Sequence, residues 1–344
     1  MRKNLLILLV ISFMIGCSDN DQKYRSGSKK VDPRKPMSWG HPQTIYVFAD
    51  DHIWNKVKPD IEANLGRFYF TTENETYFEI KHAPVNSIEQ FFKFNNLLFL
   101  TDLSSNGEVS KYVNEIMNEK VKTEISQNSI GMYPKENLWA NDQYLLFILA
   151  DDQQNLVRFN ELQANKTFEL FKEKLFQRIA GQSYKQKIYS PAFFEKFPWD
   201  LKLTKNYIVY EEAPDFISFL ARLRNHPDRY ISVYSEKISE ELFGKKWLLE
   251  KRGEIAWKHF DEDEFSDQDI KTEKSKLGRY DCLKLSGRWQ NKKHAVGGCF
   301  QSFAVYDKTS GTAFIIDNSI YFPEGFKLAG LIEMEVISRT FKIK

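Results

Sequence analysis

The first half of the chain repeats one pattern, in which an apolar run ends in acidic residues and leads into a helical periodicity. The two clearest copies occupy residues 45–51 and 145–152, and a weaker copy occupies 97–104. Continuous apolar runs of this kind are typical of strands that are covered on both faces. Strand–helix units that recur at intervals of about fifty residues predict an α/β layer, with helices packed on a sheet.

The second half has a different pattern. Residues 229–235 alternate along the chain, which is typical of a strand with one buried and one solvated face. A helical stretch is predicted at 239–252. Three closely spaced strands and a final helix follow at 278–289, 295–307, 312–322 and 324–337. This order predicts an antiparallel meander backed by helices, so the predicted fold class of the whole chain is α+β.

These patterns divide the chain into four segments. Residues 1–16 form a signal peptide, and residues 17–38 form a flexible tether that is polar, charged and contains two prolines. Residues 39–182 form the α/β N-terminal domain, and residues 183–344 form the α+β C-terminal domain with the antiparallel meander.

The N-terminus predicts a bacterial lipoprotein. Arg2 and Lys3 precede an apolar run at 5–15, which is too short to span a bilayer because a spanning helix needs about 20 apolar residues. Residues 14–17, Met-Ile-Gly-Cys, then resemble a lipobox, with Met14 in the place of the usual leucine. We expect a lipid on Cys17 to anchor the chain to the outer membrane, on its periplasmic face or at the cell surface.

The charge balance argues against nucleic acid as a partner. The chain has 49 Lys and Arg against 47 Asp and Glu, and cleavage after Gly16 removes Arg2 and Lys3, which leaves a neutral chain. Nucleic-acid binding needs a basic surface. The expected partners are therefore the membrane, through the N-terminal lipid, and an unknown envelope protein or glycan.

Two acidic pairs are the only catalytic candidates, and they are weak ones. Asp50 and Asp51 close the first apolar run, and Asp151 and Asp152 close the last. Carboxylates at strand ends can serve as acid and base, and α/β sheets place ligands at this edge. An aspartate at a strand-to-helix junction also caps the free N–H groups of the helix, and this interpretation is favoured.

No metal or cofactor is expected from the motifs. The six histidines lack zinc-ligand spacing, and no glycine-rich phosphate-binding pattern occurs. The acidic stretch 261–269 fails as an EF-hand loop because Phe265 stands where a ligand is needed. An irregular calcium site in that stretch stays open.

Cys282 and Cys299 lie on the two predicted strands of one hairpin, so a disulfide depends on the register. A tight turn at Gln290 and Asn291 places the two cysteines opposite each other. A longer turn at 291–294 places Cys282 opposite Phe303. We favour the longer turn, and therefore two free thiols.

The C-terminal segment resembles a known family. Trp289, the run Gly-Gly-Cys-Phe at 297–300 and the run at 314–323 that ends in Tyr-Phe-Pro are similar to the lipoproteins of Bacteroidota grouped as domain of unknown function 4837. The resemblance extends over about residues 40–344 and departs from the family at Cys299 and at 322–324. The family has no established activity. The resemblance therefore implies a cellular location and a fold, but no enzymatic reaction.

Three functions remain consistent with the sequence. The first is non-catalytic binding or scaffolding in the envelope, which explains an anchored chain without a recognisable site. The second is a hydrolase of envelope glycans or peptides that uses the strand-end carboxylates. The third is a glycan-binding module that uses exposed tryptophans, and it requires that Trp39, Trp54, Trp139 and Trp199 are not all buried.

Overall fold

The computed structural model describes residues 31–344, except for the side chain of Asp267. The predicted signal peptide, Cys17 and most of the predicted tether lie outside the described residues. The chain divides into two compact units. The first unit contains residues up to Arg67 together with Thr76–Leu175, and the second contains Phe68–Glu75 together with Phe176–Lys344.

The first half of the chain contains helices and strands in mixed order. In order they are β1 (Thr44–Phe48), α1 (Asp51–Leu65), β2 (Phe68–Phe70), β3 (Asn74–Thr76), β4 (Glu79–His82), α2 (Ile88–Phe91), β5 (Asn96–Asp102), α3 (Glu108–Ile116), α4 (Glu119–Asn128), β6 (Ile130–Glu136), β7 (Tyr144–Ala150) and α5 (Gln153–Ser183).

Strands dominate the second half. In order the elements are β8 (Trp199–Asp200), β9 (Ile208–Ala213), β10 (Phe216–Ala221), β11 (Asp228–Lys237), α6 (Lys245–His259), β12 (Ile270–Leu277), β13 (Tyr280–Asn291), β14 (Val296–Asp307), β15 (Thr312–Tyr321), α7 (Leu328–Ser338) and β16 (Lys342–Ile343).

The first unit contains a five-stranded sheet in the order β4-β1-β5-β7-β6. β1, β4, β5 and β7 run parallel, and β6 pairs antiparallel with β7. Every residue of β5 and β7 is buried, as the continuous apolar runs predict for strands covered on both faces. The predicted α/β layer is thus confirmed.

The second unit contains a seven-stranded antiparallel sheet in the order β12-β13-β14-β15-β11-β10-β9. Helix α7 packs on one face, where Leu331 and Met334 join the larger apolar core. Helix α6 packs on the other face, where Leu248 and Ile255 meet Phe216 and Phe300. The predicted antiparallel sheet with packed helices is present, and the α+β class is confirmed.

The hairpin formed by β2 and β3 belongs largely to the second unit, although it interrupts the first in sequence. Glu75 lies in β3 and is buried, and its carboxylate accepts hydrogen bonds from the backbone N–H groups of Lys327 (2.7 Å) and Leu328 (2.8 Å). The Thr71 hydroxyl donates to the same carboxylate (2.7 Å). Glu75 therefore neutralises free N–H groups at the start of α7, where a helix favours negative charge.

Both helices of the second unit differ from the predicted bounds. The predicted helix 239–252 is observed as Lys245–His259. The prediction missed these bounds because Arg252 and His259 lie on the buried face of the helix, where they interrupt the apolar stripe that a hydropathy pattern detects. The predicted start of the last helix at 324 moves to Leu328, where Glu75 supplies the capping carboxylate.

The segment at 31–38, which the sequence assigns to the tether, lies against the first unit. The buried amide of Asn141 accepts from the N–H of Asp32 (2.9 Å) and donates to the carbonyls of Asp32 and Lys35 (2.8 Å each). A buried side chain far along the chain holds this polar segment, which composition cannot reveal. Farther on, the chain passes from the first unit to the second within α5, seven residues before the predicted boundary.

Candidate functional site

The predicted acidic pairs reach the same edge of the first sheet, because β1, β5 and β7 are parallel. Asp50 and Asp51 follow β1, and Asp151 and Asp152 follow β7. Since β5 lies between those strands, the pairs are separated by two strand spacings, about 10 Å at the backbone. They lie at one edge, but on strands that are not neighbours.

Asp50 caps a helix, though not the one that it precedes. Its carboxylate accepts from the backbone N–H groups of Val109 (3.0 Å) and Ser110 (3.4 Å) in the first turn of α3. A Cβ on Gly107 would lie 2.0 Å from the Asp50 carboxylate, so a glycine is needed there for this approach. Asp51 is exposed in the first turn of α1, where its charge complements the helix dipole.

Asp151 and Asp152 are tied to the start of α5. The Asp152 carboxylate accepts from the backbone N–H of Asn155 (2.8 Å). The Asp151 carboxylate accepts from the side-chain amide of Asn155 and from the N–H of Asp152 (2.8 Å each). The hydrogen bond from Asn155 lowers the pKa of Asp151 below its ordinary value. These contacts give three of the four predicted residues a capping or orienting role.

No metal centre is formed by the described side chains. Within residues 31–344, Asp267 aside, no three His, Cys, Asp or Glu side chains converge as metal ligands do. The strand-end aspartates and the described part of the acidic stretch at 261–269 are among these side chains.

The two remaining cysteines are buried free thiols. Cys299 pairs with Arg288 across the hairpin of β13 and β14, and Phe303 pairs with Lys284, so the predicted register opposite Cys282 is displaced by two residues. The strands are joined by residues 292–295, a turn that is shifted one residue beyond the predicted one. Burial raises the pKa of both thiols to about 12, which leaves them protonated and unreactive.

An open surface groove lies beside helix α6 in the second unit. Its volume is about 410 Å³, and we name it the α6 groove. Its walls are one face of helix α6 and the segment that follows the helix. The lining residues are Lys246, Leu249, Glu250, Gly253, Trp257, Asp263, Glu264 and Phe265.

The helix presents two opposite faces to the sheet and to the groove. Lys246, Glu250, Gly253 and Trp257 follow one another at spacings of four, three and four residues, so they form one stripe along the groove. Trp257 is 56% exposed. At Gly253 an added Cβ would meet only the Phe265 ring, at 3.9 Å, so the groove floor is open down to the helix backbone.

The opposite wall is held in an uncommon backbone conformation. Asp261 and Glu262 both have positive φ, 51° and 72°, which costs of the order of 1–3 kcal/mol at each non-glycine residue. The side-chain amide of Asn291 donates to the Asp261 carbonyl (2.8 Å) and to the Asp263 carboxylate (2.9 Å). The N–H of Glu264 donates to the Gln290 carbonyl (2.9 Å). The wall is thus anchored to β13.

Asp263 is the most perturbed acid in the groove. Burial raises its pKa to about 6, against the opposing effects of the Asn291 hydrogen bond and the Arg252 charge. The side-chain amide of Asn291 donates to Oδ1, and no hydrogen bond to Oδ2 is found among the described side chains and backbone groups. The hydrogen bond from Lys292 lowers the pKa of the neighbouring Glu264. On this wall of the groove, Asp263 therefore keeps one oxygen without a hydrogen bond, and the charge of Glu264 is compensated by a lysine.

A buried ion pair supports the floor from the sheet side. Arg252 contacts Asp317 at 3.4 and 3.5 Å, and both side chains are only 2% exposed. The guanidinium lies 3.9 Å above the Phe300 ring and 5.4 Å from the centre of the Phe265 ring, which lines the groove. Its Nη1 makes no hydrogen bond within the described residues.

The tryptophans chosen from the sequence are mostly not available to a ligand. Trp54 and Trp199 are buried, and Trp139 is half-buried and stacks on Phe92. Trp39 is 55% exposed, with one face against Phe94 at 4.6 Å. Sequence reasoning missed Trp257, although its position outside the stripe of Leu248, Ile255 and Ala256 could have indicated exposure.

The comparisons with known proteins divide the chain at the end of α5. Residues 186–340 match the domain of unknown function DUF4837. Residues 38–184 match a different one, the domain of unknown function DUF8532. We expected the resemblance to domain of unknown function 4837 to extend over about residues 40–344, but the match covers only the second part of the chain. No curated protein matches the sequence.

Several solved structures are weakly similar. One is a protein from Bacteroides thetaiotaomicron, with 12% identity and a TM-score of 0.30 over 46% of this chain and 48% of that protein. The Saccharomyces cerevisiae Ran-binding protein Mog1p has 9% identity and a TM-score of 0.29 over 42% of this chain and 90% of its own. LpqN of Mycobacterium tuberculosis, involved in cell envelope biogenesis, has 13% identity and a TM-score of 0.26 over 42% and 83%.

The described helices do not cross a membrane. Between residues 31 and 344, none of them combines the length and the apolar character that a bilayer span requires.

Proposed function

We propose that this chain is a non-catalytic, lipid-anchored binding protein of the bacterial cell envelope, and that the α6 groove binds a glycan. The proposed lipid anchor and the proposed location in the cell envelope rest on the lipobox pattern that ends at Cys17. The binding role rests on one observation, the exposed Trp257 beside an open helix backbone and a fixed polar wall.

The groove offers the contacts that a sugar ring needs. The indole of Trp257 provides a flat apolar surface for the C–H face of a pyranose. Lys246 can donate to a hydroxyl, and Glu250 and the free Oδ2 of Asp263 can accept from one. A volume of about 410 Å³ lies in the range of small-ligand sites. Donors and acceptors are both present, which favours a neutral polyol over a strongly charged ligand.

The strand-end carboxylates give little support to catalysis. Asp50 and Asp152 accept hydrogen bonds from helix N-termini, and Asp151 orients Asn155. A carboxylate engaged in this way has fewer lone pairs for substrate. The binding role is preferred because it needs no free acid–base pair at that edge.

Glycan hydrolysis in the groove is the second candidate, and one observation favours it. The pKa of Asp263 is raised and that of Glu264 is lowered, and glycosidases place two such carboxyls around the bond that they break. Release of reducing ends from any bound oligosaccharide, lost in Asp263→Asn, would support this candidate over pure binding.

The test begins with a glycan array probed with the full chain in detergent, followed by titration calorimetry with each oligosaccharide that is retained. Trp257→Ala is expected to weaken binding at least tenfold, about 1.4 kcal/mol. Trp39→Ala is the matched control, since Trp39 is equally exposed and lies in the other unit. Absence of any retained glycan, or equal loss in both variants, would refute the proposal.

A further inference from the structure

The first unit has an aromatic edge, formed where its parallel strands β1, β5 and β7 begin. Met37 and Trp39, which lead into β1, are 57% and 55% exposed. The Trp39 ring lies 4.6 Å from that of Phe94, which is half-buried. Phe92 and Trp139 are also half-buried and stack on each other at 4.5 Å. These five residues, which we name the Trp39 face, combine exposed apolar surface with indole rings, as proteins do at membrane–water interfaces.

The two edges of this sheet differ in charge. The opposite edge, where the strands end, carries the four aspartates of the predicted acidic pairs, and Asp51 and Asp152 are exposed there. At the Trp39 face an exposed lysine, Lys93, stands between Phe92 and Phe94. Lysine beside aromatic rings suits a phospholipid surface, because the ammonium reaches a phosphate while the stem and the rings lie on apolar surface. Anionic headgroups repel the carboxylates of the other edge.

The described part of the chain starts at the Trp39 face. The buried amide of Asn141, just before β7, bonds Asp32 and Lys35 and so fixes the segment that begins at Val31. Val31 is 14 positions after Cys17, so the lipidated sulfur lies at most about 50 Å from this edge. The acidic edge is a strand length farther along the sheet, roughly 20 Å. A lipid on Cys17 is therefore tied to the aromatic edge of the unit.

We propose that the Trp39 face rests on the phospholipid headgroups of the membrane that holds the Cys17 lipid. This inference rests on the lipid anchor of the proposed function. Trp39 and Trp139 lie at the level of the headgroups, where indole rings are favoured, and Lys93 contacts a phosphate. Such contacts are too weak to hold the chain alone, but a short linker raises the effective concentration to the order of millimolar. The lipid supplies the attachment, and the Trp39 face orients the first unit.

The first test is tryptophan fluorescence of the full chain in vesicles of phosphatidylethanolamine and phosphatidylglycerol with brominated acyl chains, which quench nearby indoles. We expect quenching relative to unbrominated vesicles, and Trp39→Phe should lose most of it. Trp257→Phe is the matched control, because Trp257 is 56% exposed and lies in the second unit, and it should keep the quenching. Equal losses in both variants overturn the inference.

Flotation of the same vesicles separates this inference from the lipid anchor on which it rests. A chain that floats with the vesicles but is not quenched overturns the contact of the Trp39 face and leaves the anchor intact. A chain that does not float overturns the anchor, and the inference falls with it.

A second variant keeps every tryptophan. Met37→Glu places a carboxylate among the headgroups and should also lose most of the quenching. Leu242→Glu is its control, because Leu242 is 65% exposed in the second unit, and it should keep the quenching. If the two variants lose the same amount, the Trp39 face is not the contact.

Photo-cross-linking in intact cells distinguishes lipid from protein at this surface. Trp39→p-benzoylphenylalanine, irradiated in cells, should form adducts with phospholipid. An adduct of twice the mass of the chain would assign the Trp39 face to a second copy, and an adduct with another protein would assign it to that partner. Either result in place of the phospholipid adduct overturns the inference.

Discussion

Gly253→Ala should stabilise the second unit while it impairs the α6 groove. Gly253 is the ninth of fifteen residues in α6, and a glycine inside a helix costs about 0.5–1 kcal/mol relative to alanine. The new Cβ would meet only the Phe265 ring, at an ordinary contact distance of 3.9 Å. No clash offsets the gain, so the free energy of unfolding should rise by about 0.5–1 kcal/mol.

The assay uses circular dichroism to monitor the thermal unfolding of the second unit. One kcal/mol corresponds to about 2–4 °C for a domain of this size, so the midpoint should rise by about 1–4 °C. Gly298→Ala is the contrasting control, because its Cβ would lie 2.0 Å from the Ile320 carbonyl oxygen. That variant should be strongly destabilised.

The same methyl group should weaken glycan binding, since it covers the helix backbone at the groove floor. Stability and binding would then move in opposite directions, which general damage to the fold cannot produce. A lower unfolding midpoint for Gly253→Ala would refute the claim that the floor is open. A higher midpoint with unchanged binding would support the claim that alanine stabilises α6, but it would refute the claim that the glycan binds in the groove.

Four further outcomes are expected. Glu75→Gln should lower the free energy of unfolding in urea by about 1–3 kcal/mol, because an amide replaces the charged cap of α7. Asp263 has a folded pKa of about 6 against an ordinary 3.8, so the native state holds a proton that the unfolded state loses. Stability should therefore fall by about 1–2 kcal/mol as pH rises from about 4 to about 7, and a pH series of urea titrations should show no such fall in Asp263→Asn. Cys282 and Cys299 should resist a thiol reagent in the native chain and both react after denaturation; a single reactive thiol, or none, would contradict two free cysteines. Cys17→Ser should release a folded chain from the membrane fraction, and retention of the variant there would contradict the lipid anchor.

The sequence predicted the elements whose apolar pattern is uninterrupted. β5 and β7 are buried throughout, and their runs of leucine and phenylalanine have no other explanation in a chain without a spanning helix among its described residues. The turn at 308–311 places Asp307 opposite Thr312, as its Thr-Ser-Gly ending predicts. Local chemistry decides such features, so a single sequence can reveal them.

Long-range contacts decide the features that were missed. The start of α7 is set by Glu75, which is more than 250 residues away in sequence. Asp50 looks like the cap of α1 but bonds the first turn of α3. The register of β13 against β14 depends on a four-residue connection in which Ala295 has a positive φ of 52°, a conformation that its residue type does not indicate.

The sequence did not predict the α6 groove, for a related reason. A hydropathy pattern assigns apolar residues to the core and charged residues to water, and α6 violates both assignments. Arg252 is buried in a pair with Asp317, while Trp257 faces solvent. Each exception makes sense only in the fold, since the sheet supplies the carboxylate and the loop after α6 supplies the second wall of the groove.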